Sequence, residues 1–205
     1  HTSEFLTFAS QVSKALINMG VEQGDKIGLV TENRVEWNII DIAVQQIGAV
    51  LVAVYPNIST RDYRYIFNDA GIKYAFVSSI DLFSKIDSIR NELPLLVEIF
   101  TFNKIPEAKY WKSILDYQET NEPQLLEKRK NAVKGEDLLT LIYTSGTTGD
   151  PKGVMLTHNN MIAEITGTSF ATPTDAYDRA LTFLPVCHAY ERMFHYIYIN
   201  KGNTI

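Results

Sequence analysis

The chain has 205 residues, 45% hydrophobic and 21% charged, enough for a sizeable core in one large domain or part of one. A net charge of −5 and the lack of a long basic stripe argue against nucleic-acid binding. A single cysteine, Cys187, excludes an intrachain disulfide, and no apolar stretch approaches the length of a membrane span.

Phe5, Phe8, Val12, Leu16 and Met19 fall on one face and predict an opening helix that stops at Gly20. The Gly24-Asp25 turn leads to a strand over Lys26–Val30. A helix over Arg34–Ile47 follows, with Ile39, Ile40, Ala43, Val44 and Ile47 at helical spacing. Ala49–Tyr55 is a continuous apolar run, the pattern of a parallel strand buried on both faces. Ser59 and Asp62 form a capping-box pattern ahead of Tyr63, Ile66, Phe67 and Ala70. Lys73–Val77 predicts a strand, Asp81 a cap for a helix to Asn91, and Leu95–Phe100 another strand. This βαβα order predicts an α/β fold: a parallel sheet with right-handed crossovers and helices on both faces.

Between Asn103 and Gly135 the pattern weakens to a polar surface connector, with a short helix over Trp111–Tyr117. The basic cluster Lys128-Arg129-Lys130, with Lys134, reads as a solvated helix end or linker; contact with a membrane surface is the alternative. Leu138–Tyr143 and Val154–Leu156 predict short strands. A helix from Thr157-His158-Asn159 to Thr168 comes next, then a polar loop at Asp175–Asp178 and a strand over Ala180–Leu184. Lys201–Ile205 reads as a turn entering a further strand, so residues 1–205 look like one part of a larger domain.

The run Tyr143-Thr-Ser-Gly-Thr-Thr-Gly-Asp-Pro-Lys-Gly-Val-Met-Leu-Thr-His158 carries the most chemistry. Gly146, Gly149 and Gly153 allow close backbone approach. Thr144, Ser145, Thr147 and Thr148 supply hydroxyls, and Lys152 a positive charge. These are the means to hold phosphate oxygens. The run is not a Walker A loop, because Pro151 stands where that pattern needs glycine. Asp150-Pro151 reads as a turn.

From Tyr143 to Gly153 the run resembles the signature loop of the AMP-forming adenylating enzymes: acyl-CoA synthetases, adenylation domains of peptide synthetases and luciferases. Gly24–Ser59 is similar to the early part of acyl-CoA synthetases. Leu184-Pro-Val-Cys-His-Ala-Tyr-Glu-Arg192 resembles the second motif of the long-chain fatty acyl branch. The resemblance covers the whole chain but only the N-terminal part of the large domain of such an enzyme.

The resemblance implies a two-step reaction. A carboxylate attacks the α-phosphate of ATP to give acyl-AMP and pyrophosphate, and a thiol, here coenzyme A, then displaces AMP. Thr144, Ser145, Gly146, Thr147, Thr148, Gly149 and Lys152 would hold the phosphates, with Mg²⁺ bridging them and Thr144 as its protein contact. His188 would lie beside the carboxylate and adenylate, and Tyr190 would line the pocket. Glu191 and Arg192 read as a structural ion pair or helix-start charges. Phe194, Tyr196 and Tyr198 read as packing residues, with the wall of an acyl pocket as the alternative. The implied partners are ATP, fatty acid and coenzyme A, not nucleic acid.

Cys187 and His188 are consecutive, so their side chains point apart, which argues against a Cys–His dyad. His1, His158 and His195 give no metal-ligand spacing with His188. The expected setting is the cytoplasm, with weak peripheral contact with the inner face of a membrane as a further option. Two other readings stay open. One is another adenylate-forming enzyme, an acyl-AMP ligase or amino-acid adenylation domain. The other is a non-catalytic binder of nucleotide or acyl groups. Residues 1–205 alone are expected not to catalyse adenylation, since no match to the later segments of the family occurs in them.

Overall fold

A computed structural model describes residues 2–116, 124–144 and 149–205. Seven strands form one sheet: β1 (Lys26–Val30), β2 (Val50–Val54), β3 (Ile72–Val77), β4 (Glu98–Thr101), β5 (Lys109–Tyr110), β6 (Leu138–Thr144) and β7 (Lys152–Thr157). Their spatial order is β5-β4-β3-β1-β2-β6-β7. Neighbours are parallel except β6 and β7, which form an antiparallel pair. The sheet is therefore mixed, mainly parallel, where the sequence suggested a parallel one. The chain from Thr144 to Lys152 is too short for a crossover, so it can only turn back.

The helices are α1 (Thr2–Asn18), α2 (Val35–Gln46), α3 (Thr60–Ala70), α4 (Ile80–Asp87), α5 (Leu125–Ala132), α6 (His158–Ala171) and α7 (Ala189–Lys201). Strand alternation divides the core between two faces. Ile27, Leu29, Leu51 and Ala53 pack with α1 and α2. Val30, Val50, Val52 and Val54 pack with α3 and α4 on the other side. Both faces of β2 are thus covered and all five of its residues are buried, as its unbroken apolar run requires. Each such Val or Leu contributes about 1.5–3 kcal/mol by burial.

Local chemistry sets most of the boundaries. Ser59 and Asp62 cap α3 reciprocally, and Gly71 ends it in the left-handed region at φ 69°. At α4 the capping residue is Ser79, whose side chain accepts from the Leu82 amide, not Asp81, which lies within the first turn. The helix is also shorter than expected, ending at Asp87, and a separate 3₁₀ turn spans Arg90–Glu92. Thr157 caps α6 with Asn160 as its reciprocal partner.

Four further expectations need correction. β4 begins at Glu98 because Leu95 and Val97 face solvent. The connector holds β5 and α5; α5 buries only Leu126, so its amphipathic signal is weak. Trp111–Asp116 is a 3₁₀ helix with Trp111 and Ile114 buried. Ala180–Leu184 does not join the sheet: Leu181 and Phe183 are exposed, and among the described residues the pairing nearest to it is an isolated bridge from Arg179, just before it, to Thr204.

Candidate active site

Parallel α/β sheets present their ligand sites beyond the carboxyl ends of the strands. Here the ends of β2 and β6 open into a cavity of about 650 Å³, lined among others by Tyr55, Thr144, Gly149, Pro151, Leu156 and His188. In the antiparallel pair Thr144 lies opposite Lys152, and Ile142 opposite Val154. Directly opposed residues share a face, so Thr144 and Lys152 project to the same side.

Ser145, Gly146, Thr147 and Thr148 lie outside the described residues. Gly149, next in sequence, has φ 119°, a conformation that side-chain-bearing residues rarely adopt. Asp150 is tied to Arg61 at the start of α3, at 3.1 Å. Tyr143 points to the opposite face, donates to Asp69 at 2.6 Å and covers Gly153. A Cβ at Gly153 would meet the ring at 3.1 Å. Burial and the neighbouring Asp69 carboxylate both push the Tyr143 pKa well up, so the phenol stays protonated.

His188 is the N-cap of α7. Its Nδ1 accepts from the Tyr190 amide at 3.3 Å, which leaves the proton of the neutral ring on Nε2 as a donor. The segment before it is fixed by Asn33, which donates to the Leu184 carbonyl at 2.7 Å and accepts from the Val186 amide at 3.0 Å. Val186 and Cys187 are buried against the α1–α2 side of the core. Burial pushes the Cys187 thiol up to about 11, which agrees with the reading that it is no nucleophile.

His188 borders a second cavity as well. It measures about 770 Å³, lies between α6 and α7, and is lined mainly by apolar groups including Leu156, Met161, Tyr190, Met193 and Phe194. Tyr190 and Phe194 stack edge to face at 4.9 Å. Of the three aromatic residues that follow the motif, Phe194 is therefore a wall, Tyr198 packs on it at 5.8 Å, and Tyr196, half-buried, packs elsewhere. The two cavities share Leu156, His188 and Ala189. His188 stands where they meet.

The charges after His188 pair differently from the simplest sequence reading. Arg192 is bound to Asp41 of α2, not Glu191, with Nη2 at 2.5 Å from Oδ1 and both side chains almost fully buried. Its Nη1 donates to Thr140 of β6 at 2.7 Å and its Nε to Tyr196 at 2.8 Å. Tyr196 donates to Asp41 at 2.6 Å, and the guanidinium lies 5.3 Å from the Trp37 ring centre. Burial works to lower the Arg192 pKa, but Asp41 and Tyr196 outweigh it and the group stays charged. Glu191 faces His195 at 3.8 Å, and burial raises the acid while it lowers the imidazole, so both favour their neutral forms.

Sequence reasoning overlooked Asn33, Asp41 and Thr140. Asp41 carried a signal: it is an acid inside a helix whose neighbours Ile39, Ile40, Ala43 and Val44 are all buried. Among the described residues no group of three His, Cys, Asp or Glu side chains could hold a metal ion, and no helix is long and apolar enough to cross a membrane.

The profile of a family described as AMP-binding enzyme matches residues 3–205. Fatty acyl-CoA synthetase A of Dictyostelium discoideum is 31% identical over 198 residues, which take in 90% of this chain and 28% of that protein. Long-chain-fatty-acid–CoA ligase FadD15 of Mycobacterium tuberculosis is 33% identical over 190 residues, 90% of this chain and 31% of that one. The chain thus spans under a third of the length of these two relatives. The crystal structure of anthranilate CoA ligase AuaEII in complex with anthranoyl-AMP superposes with a TM-score of 0.82 at 24% identity. It covers 96% of this chain and 36% of that one. At that identity the likeness establishes the fold.

Proposed function

Because the chain belongs to the family of AMP-binding enzymes, we propose that the protein it forms part of joins a long-chain fatty acid to coenzyme A through an acyl-AMP intermediate. The observation that carries this reading is the place of His188, on the border between a cavity at the phosphate-type loop and an apolar cavity between two helices. A fatty acid is amphipathic in the same sense. Its chain would lie against Met161, Met193 and Phe194, and its carboxylate would meet the Nε2 donor of His188. The similarity to two fatty acyl–CoA ligases over nine-tenths of the chain supports the same substrate class.

In the first step a carboxylate oxygen forms a bond to the α-phosphorus of ATP, and the bond to the β-phosphate oxygen breaks to release pyrophosphate. In the second a thiolate attacks the acyl carbonyl carbon and AMP leaves. Bringing two anions together makes positioning and charge compensation the main tasks of the protein. Thr144, Gly149 and Lys152 would hold the β- and γ-phosphates together with Ser145, Gly146, Thr147 and Thr148. Thr144 would be the protein contact for a metal here; Asn57 and Asp62 also line the cavity, Asp62 engaged with Ser59, and among the described residues no group of three His, Cys, Asp or Glu side chains could hold a metal. This fits Mg²⁺ carried mainly by the phosphates.

The deciding experiment is a pyrophosphate-release and acyl-hydroxamate screen on the full-length protein with ATP, Mg²⁺, coenzyme A and carboxylates from acetate to palmitate, with amino acids alongside. Turnover with long fatty acids that is completed only with coenzyme A is expected. Turnover with amino acids, or adenylate that never reaches coenzyme A, would place the protein in another branch of the family. ATP binding without turnover of any acid would make it a non-catalytic relative.

A further inference from the structure

The group formed by Asp41, Arg192, Tyr196 and Thr140 touches neither cavity. All its members are satisfied by one another, with Gln45 donating to both Asp41 and Tyr196 and Thr140 donating to the Leu51 carbonyl. A buried ion pair is a poor source of net stability, since apolar residues of the same size serve as well or better. What such a pair does supply is direction, because the guanidinium fork accepts partners only at fixed angles.

The direction matters because of what each member is attached to. Thr140 lies four residues before Thr144 on the same face of β6, a distance of about 13 Å along a strand at roughly 3.3 Å per residue. Arg192 lies one turn after His188, and its amide donates to the His188 carbonyl at 3.1 Å. Four residues of helix rise about 6 Å. Two short, stiff levers thus leave one fixed joint, one carrying Thr144 and the other His188. Asp41 fastens that joint to α2, whose start adjoins Asn33, the residue that brackets the segment before His188.

We infer that Asp41, Arg192 and Tyr196 are positioning residues that set the placement of His188 relative to Thr144, and so of the carboxylate relative to the nucleotide. The inference rests on the function proposed above. It predicts that the joint can be made apolar without loss of the fold but not without loss of the reaction.

The test is the double variant Asp41→Leu/Arg192→Met in the full-length protein, with Arg192→Lys and Tyr196→Phe alongside. ATP–pyrophosphate exchange gives kcat and separate KM values. The nitrogen resonances of His188, assigned by loss in His188→Ala, report its tautomer and setting. The double variant should melt within about 5 °C of wild type. Its kcat should fall about 10–100-fold while the KM for ATP stays within about twofold. The His188 signals should lose the pattern of a fixed Nε2–H tautomer. Arg192→Lys, which keeps the charge but not the fork, should recover part of kcat.

A folded double variant with wild-type kcat and unchanged His188 signals overturns the inference. If the double variant does not fold, Tyr196→Phe decides, since it keeps the ion pair and removes one tie: a lower kcat at unchanged ATP KM supports positioning, and wild-type kinetics overturn it. If wild type itself turns over no acid, the proposed function fails. The His188 signals of the folded variants then decide alone: a change sustains the joint as a positioning device and no change overturns it.

Discussion

The half of the sheet from β1 to β4 and the half from β6 to β7 are built on different terms. In the first, strands are covered on both sides by α1 to α4, and nearly every apolar residue is buried. In the second, Val154, Met155, Ile162 and Phe170 are exposed; β6 still buries Leu141 and Tyr143 on the α3–α4 side, but the core under α6 and α7 is small, made of Leu139, Met161, Met193 and Ile197 with their neighbours. Both candidate cavities border this second half. Stability and binding are therefore assigned to different parts of one sheet, and the buried Asp41–Arg192 pair is the polar seam between them.

Breaking that seam should have the largest effect. Asp41→Ala leaves a buried guanidinium without its anion and should cost about 3–5 kcal/mol in urea unfolding. Next, Leu51→Ala, fully buried in β2, should cost about 2–5 kcal/mol, whereas Met155→Ala, 67% exposed on β7, should stay within about 0.5 kcal/mol. Equal losses at Leu51 and Met155 would erase the distinction between the halves. Lys152→Ala should slow adenylation about tenfold, or roughly 1.4 kcal/mol in the barrier, with an unchanged melting temperature. Unchanged turnover would remove Lys152 from the phosphate site.

A further prediction concerns Cys187, buried on the α1–α2 side of the core. Its folded pKa, about 11, exceeds the ordinary 9.0. A thiol with a raised folded pKa keeps its full contribution below pH 9 and loses it as pH rises towards 11, because the unfolded chain releases the proton first. Cys187→Ala should flatten that part of the alkaline stability curve. At pH 8 the native thiol should resist iodoacetamide and react only after unfolding; rapid labelling of the folded protein would contradict its burial.

Legibility in the sequence follows the same division. The β1–α2–β2–α3–β3 order was readable because those elements bury regular faces and carry caps such as Ser59 with Asp62 and Gly71. Elements with little buried surface were not: α5 covers only Leu126, and Ala180–Leu184 has strand-like residues but no strand beside it. Around the first cavity, His188, Thr144 and Gly149 could be named from motifs, which are local. The partner of Arg192 could not, because Asp41 lies 151 residues away and only the packing of α7 on α2 brings them together. The meeting of two cavities at His188 is likewise a product of topology.

The antiparallel turn from β6 into β7 has a consequence for how the phosphate-type loop can change. Thr144 and Lys152 are ladder partners, so the seven positions between them are a closed interval, not a free tether. An insertion there cannot be absorbed by sliding β7 one step, because a one-step slip would turn Val154 and Leu156 away from His188 and carry Gly153 out from under Tyr143. An added residue would have to be taken up within the loop, while the register of the sheet edge stays as it is. The sheet edge thus fixes where the loop leaves and returns, not how many residues it holds.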